Sequence, residues 1–434
     1  MLKIVRILVL MGILITALIG IGTRAASPTI VVLSAKGVIN PVMADYISRG
    51  IEEAEESYAT ACIIQLDTPG GLDTAMRDIV KDIVNARVPI VMYVSPSGAR
   101  AASAGVFITM AAHVAVMAPN TAIGAASPVS IGPEGEQQIS ETMQEKILND
   151  AAAYIRSIAE AQGRNMEWAE KAVREAVSAT EREALELNVI DMVVSDLDAL
   201  ISELDGREVT LLGGAVVTLD TQGATINRVE MNWIEEFLFA ITDPNIALVL
   251  LSLATLGLMV EITNPGLIFP GVVGGISLIL AFYSLGNLPV NIAGVLLIVL
   301  AFGLFVAEVF TASFGLLAAG GITALVLGSL ILFKGGPLFQ VNPWLVGTIA
   351  ICIGGFLTFI ITRVVVSHRR QPTTGREELV GKTALVKAAL DPEGMVLFKG
   401  ERWIAVSGEG RVEPGEEVVI TKVDSLKLYV TKTQ

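Results

Sequence analysis

Hydrophobic positions along this chain fall into three patterns, and each predicts its own architecture. Between residue 27 and about residue 211, short apolar runs alternate with amphipathic ones. Runs at 29–35, 61–67, 89–94 and 114–117 are apolar and rich in β-branched residues, as strands buried on both faces are. The intervening stretches 41–57 and 73–85 carry apolar residues at helical spacing. In the second, Met76, Ile79, Val80 and Ile83 share one face. A long helix is expected over 140–162, a helix leading into a strand over 183–190, and a further helical piece over 196–204. Such alternation predicts an α/β layer with a mostly parallel sheet. Residues 206–230 read as a less regular Thr/Gly-rich bridge, so this domain is taken as 27–230.

The second pattern is continuous hydrophobicity. Residues 1–26 open with Lys3 and Arg6, run apolar from Ile7 to Ile21 and close on small residues, which predicts a signal peptide or signal anchor. Apolar runs recur near 246–262, 267–286, 290–311, 314–333 and 344–366, and five membrane spans are expected within 244–367. This region repeats itself. The stretch Leu250–Glu261 resembles Leu296–Glu308, and Gly274-Gly-Ile276 matches Gly320-Gly-Ile322 at an offset of 46. Two similar helical hairpins and a final helix are predicted. Arg363, His368, Arg369 and Arg370 cluster after the last span and should face the cytoplasm, which leaves the first domain exported. Glu261 and Glu308 hold corresponding places near span ends, where interfacial or turn roles are expected rather than an ion pathway.

The third pattern is short alternation. Residues 376–434 hold five runs, at 382–387, 395–399, 402–407, 417–422 and 427–432, separated by Asp-Pro-Glu-Gly and Glu-Pro-Gly-Glu turns. Five strands at this spacing predict a small all-β barrel of the OB type. Trp403 fits its core or a binding surface equally, and the module reads as one for protein contact.

Composition narrows the function. The chain of 434 residues is 53% hydrophobic, with a mean hydropathy of +0.64, too apolar for an ordinary soluble enzyme. Its net charge of −14 and the lack of a basic stripe exclude nucleic-acid binding. Cys62 and Cys352 lie in regions that should not meet, so no disulfide is implied. No Walker loop or metal-ligand spacing is present, and neither a metal nor a cofactor is expected.

Candidate chemistry centres on the small-residue stretch from Pro96 to Gly105, which follows the strand-like run 89–94. Ser103 falls at a predicted strand–turn–helix, where a nucleophile's hydroxyl would be exposed beside backbone N–H groups. Tight packing of a helix on a sheet would explain the same small residues. Only two histidines occur, His113 and His368. His113 is ten residues after Ser103 at the far end of the same helix, roughly 15 Å away at about 1.5 Å per residue. It reads as structural, and a histidine triad fails. Lysine is the other base available, provided desolvation lowers its pKa. Lys146 is best placed, after a glycine-rich loop and beside the apolar face of Ile147, Ala151, Tyr154, Ile155 and Ile158, although a lysine on such a helix is more often a solvated surface residue. An oxyanion hole needs two N–H donors. Ala104 offers one, and Gly70 or Gly71, in the turn after a neighbouring strand, offers the other.

Four motifs in order carry a resemblance: Leu66-Asp-Thr-Pro-Gly-Gly71, Ser97-Gly-Ala-Arg-Ala-Ala-Ser-Ala-Gly105, Met117-Ala-Pro-Asn-Thr-Ala-Ile-Gly-Ala-Ala126 and Glu145-Lys-Ile-Leu-Asn-Asp150. Together they resemble the long form of the NfeD family, which includes archaeal membrane proteases that cleave stomatin. Asn120 stands where that family often has glycine. The resemblance covers nearly the whole chain. It implies an α/β ClpP/crotonase-like serine protease domain, a polytopic α-helical membrane segment and an OB-like C-terminal domain. It also implies Ser103 as nucleophile, Lys146 as base and the Pro-Gly-Gly turn as oxyanion loop. The expected activity is a membrane-anchored endopeptidase that cuts apolar segments of a stomatin/prohibitin-like membrane partner. A homo-oligomer, a dimer or larger, is expected. The alternative is a non-catalytic scaffold that binds stomatin- or flotillin-like proteins.

Overall fold

The computed structural model describes residues 28–128, 141–311, 313, 315–333, 339–369 and 379–433. The N-terminal leader expected at 1–26 and the glycine-rich loop at 131–138 lie outside these residues. So do the side chains of Arg363, His368, Arg369 and Arg370.

The strands of the first domain are β1 (Thr29–Lys36), β2 (Ala61–Asp67), β3 (Ile90–Val94), β4 (Arg100–Ala102), β5 (Val114–Met117), β6 (Ala122–Gly124), β7 (Ser178–Thr180), β8 (Met192–Val193), β9 (Glu208–Thr210), β10 (Val216–Thr218) and β11 (Thr225–Val229). Its helices are α1 (Pro41–Glu56), α2 (Asp73–Asn85), α3 (Ala104–Ala111), α4 (Glu141–Ala161), α5 (Met166–Arg174), α6 (Glu181–Glu186), α7 (Leu197–Leu204) and α8 (Trp233–Ile241). Six strands form one parallel sheet in the order β11-β1-β2-β3-β5-β8. Both faces are covered, which is why β3 is buried at every residue. Val31, Leu33, Ile64 and Met92 pack under Met43, Ile47, Met76 and Ile79 of α1 and α2. On the other face Ile30, Val32, Ile63 and Val91 meet Leu200 and Leu204 of α7.

Two features differ from the pattern-based expectation. β3 does not run straight into the helix after Ser103. The short strand β4 intervenes, paired with β6 and bridged to β2's extension through Thr68 and Ala101, and β7 completes a second, three-stranded sheet. The bridge at 206–230 is also more regular than expected. β9 and β10 pair with each other, and β11 returns to the central sheet as the parallel neighbour of β1.

Asn232 and Glu235 form a capping box that starts α8, and Glu235 also binds Arg49 of α1 through both carboxylate oxygens. The apolar helices follow: α9 (Pro244–Thr263), α10 (Ile268–Gly286), α11 (Ile292–Phe310), α12 (Leu316–Ile331) and α13 (Pro343–Arg369). The first three are long and apolar enough to cross a membrane. α9 and α10 form one hairpin, and α11 and α12 a second. In the first, a Cβ on Gly257 would lie 2.8 Å from the Cα of Gly274, so the backbones touch. In the second, the close approach has moved to Gly294 and Gly328. The backbone N–H of Asn291 donates to Leu332 O at 2.7 Å, and that of Asn342 to Asn245 Oδ1 at 2.8 Å. These bonds pair the start of α11 with the end of α12, and the start of α13 with the start of α9.

The two glutamates end differently. Glu308 is buried and accepts bonds from Ser313 Oγ, Gly315 N and Ala318 N, so it caps α12. Glu261 keeps one buried oxygen without a partner.

The C-terminal strands β12 (Thr383–Ala388), β13 (Glu393–Phe398), β14 (Glu401–Ser407), β15 (Glu417–Asp424) and β16 (Lys427–Lys432) close into a barrel ordered β12-β13-β14-β16-β15. β14 and β16 run parallel, as the third and fifth strands of an OB-type barrel do. Val386, Val396, Ala405, Ile420 and Val430 fill it, with Trp403 half-buried against them.

Candidate active site

Ser103 sits between β4 and α3 with φ 52° and ψ −113°. A non-glycine residue in this region costs roughly 1–3 kcal/mol, and here the backbone around it is fixed on both sides. Ala102 N donates to Thr68 O at 3.1 Å, Ser103 N to Gly124 O at 3.0 Å, and Val106 N to Ser103 O at 3.0 Å. The hydroxyl makes no cap bond to its own helix. Ala104, buried, is the first residue of that helix, and its N–H has no acceptor within it.

The glycine turn lies directly against the serine. Gly70 has φ 114°, and a Cβ there would lie 2.6 Å from Ser103 Cβ and 3.2 Å from Ser103 Oγ. Only glycine satisfies both the conformation and the space. Thr68 shapes this turn: its Oγ1 accepts from Gly70 N at 3.0 Å and donates to Gly70 O at 3.2 Å. The segment after β1 runs beside it. Ile39 N donates to Gly70 O at 2.9 Å and Leu72 N to Ile39 O at 2.8 Å, bracketing Gly71 in a parallel bridge to Ile39. Alternation along that bridge directs the Gly71 N–H away from Ile39.

Lys146 is not joined to this group. It is exposed on the first turns of α4, and no hydrogen bond links Lys146 Nζ to Ser103 Oγ. The burial expected to desolvate it is therefore missing. The rest of α4 is well attached: Tyr154 stacks on Phe107 of α3 with ring centroids 6.0 Å apart, and Arg77 of α2 lies over Tyr154 while binding Asp150. Lys146 is two turns further, about 12 Å along the axis from Tyr154.

His113 is structural, as its position implies. Its Nδ1 accepts from Ile90 N at 3.1 Å. Burial, aided by the nearby Arg164 guanidinium, lowers its pKa to about 4, so the ring stays neutral. Two residues near the site were not singled out from sequence. Thr68 lies inside the Leu66–Gly71 motif, where no local pattern marks its role. Asn40 had a readable signal, an Asn directly before Pro41 at a helix start, and its side chain caps α1 through Met43 N at 2.9 Å.

A parallel sheet covered on both faces, a second small sheet, and a serine at a strained strand-to-helix junction define a ClpP/crotonase-like protease fold, here attached to membrane helices and an OB-like barrel. Family models match along the chain: the NfeD1b N-terminal domain at residues 29–211, the NfeD integral membrane domain at 245–363, and the NfeD-like C-terminal, partner-binding domain at 376–432. The chain belongs to the NfeD family. It is 36% identical over 416 residues to the membrane-bound protease PH1510 of Pyrococcus horikoshii, covering 94% of each chain. It is 28% identical over 447 residues to the membrane protein NfeD1b of Bacillus subtilis, covering 97% of each. Among solved structures it resembles a lysine-to-alanine mutant of the membrane-bound stomatin-specific protease 1510-N in complex with a substrate peptide. That match has 34% identity and a TM-score of 0.45, covering 50% of this chain and 98% of the other.

Proposed function

We propose that this membrane protein is a serine endopeptidase in which Ser103 attacks the scissile carbonyl and Lys146 takes its proton. Gly71 and Ala104 donate to the oxyanion, since the Gly70 N–H is bonded to Thr68, and Gly70 serves by its missing side chain. Collapse of the tetrahedral intermediate gives an acyl-enzyme on Ser103, and Lys146 then activates the water that releases it. The observation that carries this reading is the contact of Gly70 with Ser103 in strained backbone. The relationship to PH1510, a protein named as a protease, supports it. By the resemblance of its motifs to stomatin-cleaving NfeD proteases the substrate class is apolar segments of a stomatin-like membrane protein, reached by an exported catalytic domain, with the barrel in the cytoplasm. The alternation of five apolar helices and the charges after the last one support this orientation.

The exposure of Lys146 favours a second reading, a scaffold that keeps the fold without the chemistry. A fluorophosphonate probe separates the two. The full chain should label at Ser103 and cleave an apolar peptide, and Ser103→Ala should lose both. Absence of labelling and cleavage in the intact chain would leave the scaffold.

A further inference from the structure

The segment between β1 and α1 touches the oxyanion turn on one side and the entry to the membrane on the other. Gly37 N donates to Asp67 O at 2.9 Å, and Ile39 pairs with Gly70, Gly71 and Leu72. On the opposite side Gly37 packs against Phe239, whose ring a Cβ there would meet at 3.0 Å. Asn40 Nδ2 donates to Thr242 Oγ1 at 2.8 Å, a bond between two buried side chains 202 residues apart. Thr242 Oγ1 in turn donates to Phe239 O at 2.7 Å, two residues before Pro244 opens α9. A cavity of about 220 Å³ lies at this joint, lined by Val38, Asn40, Thr242, Pro244, Leu288 and Phe339 among others. The joint is thus not close-packed throughout, and its alignment rests on a directional bond.

We propose that Asn40 is a positioning residue. Through its bond to Thr242 it fixes the 37–40 segment to the start of the first membrane helix, and so holds the Gly70–Gly71 turn in register with Ser103. This rests on the serine-peptidase reading above. The consequence is kinetic. The oxyanion donors act on the transition state, so loosening the turn lowers kcat and leaves ground-state peptide binding unchanged. A displacement of even 1 Å at such a site is costly in rate.

The test uses the full chain in detergent or liposomes with a fluorogenic apolar peptide. Thr242→Val keeps the shape and removes the oxygen. It should lower kcat about tenfold with KM unchanged when rates are divided by the folded fraction, and Thr242→Ser should restore the rate. Asn40→Ser keeps an oxygen that caps α1 but is too short to reach Thr242, and it should behave as the valine variant does. If one variant misfolds, the other decides. Wild-type kcat in either folded variant, a change confined to KM, or misfolding of both overturns the proposal. Ser103→Ala is assayed alongside. Cleavage persisting there would overturn the peptidase reading itself, whereas an inert Ser103→Ala beside a fully active Thr242→Val would remove the clamp alone.

Discussion

The two sides of the proposed site are built by different means. On one side Ser103, Gly70, Gly71 and Ala104 are set mainly by backbone: strand pairing at Thr68 and Ala101, a left-handed glycine braced by the Thr68 hydroxyl, and a helix start place the donors. On the other side Lys146 is one long side chain on an exposed helical turn, about one turn before Asp150, where Arg77 attaches the helix. The first side tolerates almost no change of residue and needs no reorganisation. The second can approach or withdraw with little disturbance to the core, because a lysine side chain has about 2 kcal/mol of rotamer entropy to lose when it is fixed. Chemistry that requires both therefore depends on what brings Lys146 inward more than on what holds Ser103.

The comparison breaks most visibly at Lys146. Lys146→Ala should lower peptide turnover on the order of a thousandfold, the range of general-base loss, with the melting temperature unchanged. Lys146→Arg should be equally inactive, because a guanidinium does not release its proton to serve as base. Full activity in the arginine variant would show that another group serves Ser103. On the rigid side, Gly70→Ala forces a Cβ into Ser103 and a left-handed backbone upon alanine. Turnover should fall about a hundredfold, the scale of losing an oxyanion contact, and the domain should melt earlier. A variant with wild-type rate would mean that the turn is not part of the site.

The smallest effect belongs to the other end of α3 and touches stability alone. His113 stays neutral in the fold down to about pH 4, whereas in the unfolded chain it takes up a proton near 6.5. The stability that the neutral ring contributes is complete above about pH 6.5 and is lost as pH falls towards 4, by at most about 3 kcal/mol. His113→Gln removes this slope and leaves peptide turnover at neutral pH as it was. A denaturation series from pH 7 to pH 4 on both chains checks it.

What could be read from sequence follows from how each element is specified. β2, α2, β5 and β16 fall where apolar runs or a 3.6-residue stripe put them, because burial on a sheet or helix face leaves a periodic record. β4, β6 and β7 leave none. They are three residues long, largely Ala, Gly, Ser and Thr, and exist because Thr68 and Ala101 pair, which no local pattern announces. Ser103 and the glycine turn were legible because close backbone approach demands small residues at both places. The exposure of Lys146 is what a lysine on such a helix ordinarily shows. Leu148, Ala151 and Ile155 do pack inward, but Lys146 shares its stripe with Asp150 on the outer side of the same helix. The bond from Asn40 to Thr242 spans 202 residues and joins two polar side chains of ordinary type, so sequence alone could not pair them.

The repeated hairpins carry a lesson about assembly. From Gly257 to Glu261 the first copy counts four residues, and from Gly303 to Glu308 the second counts five. One added residue turns a side chain by about 100° around a helix. It takes the second carboxylate from a place with an orphaned oxygen to one where three donors of the following helix meet it. Two interchangeable hairpins would allow the chain to build the bundle with either copy in either place. The two copies therefore close their turns by different means: in the second hairpin the carboxylate caps the helix that follows it, and in the first the corresponding carboxylate keeps an orphaned oxygen.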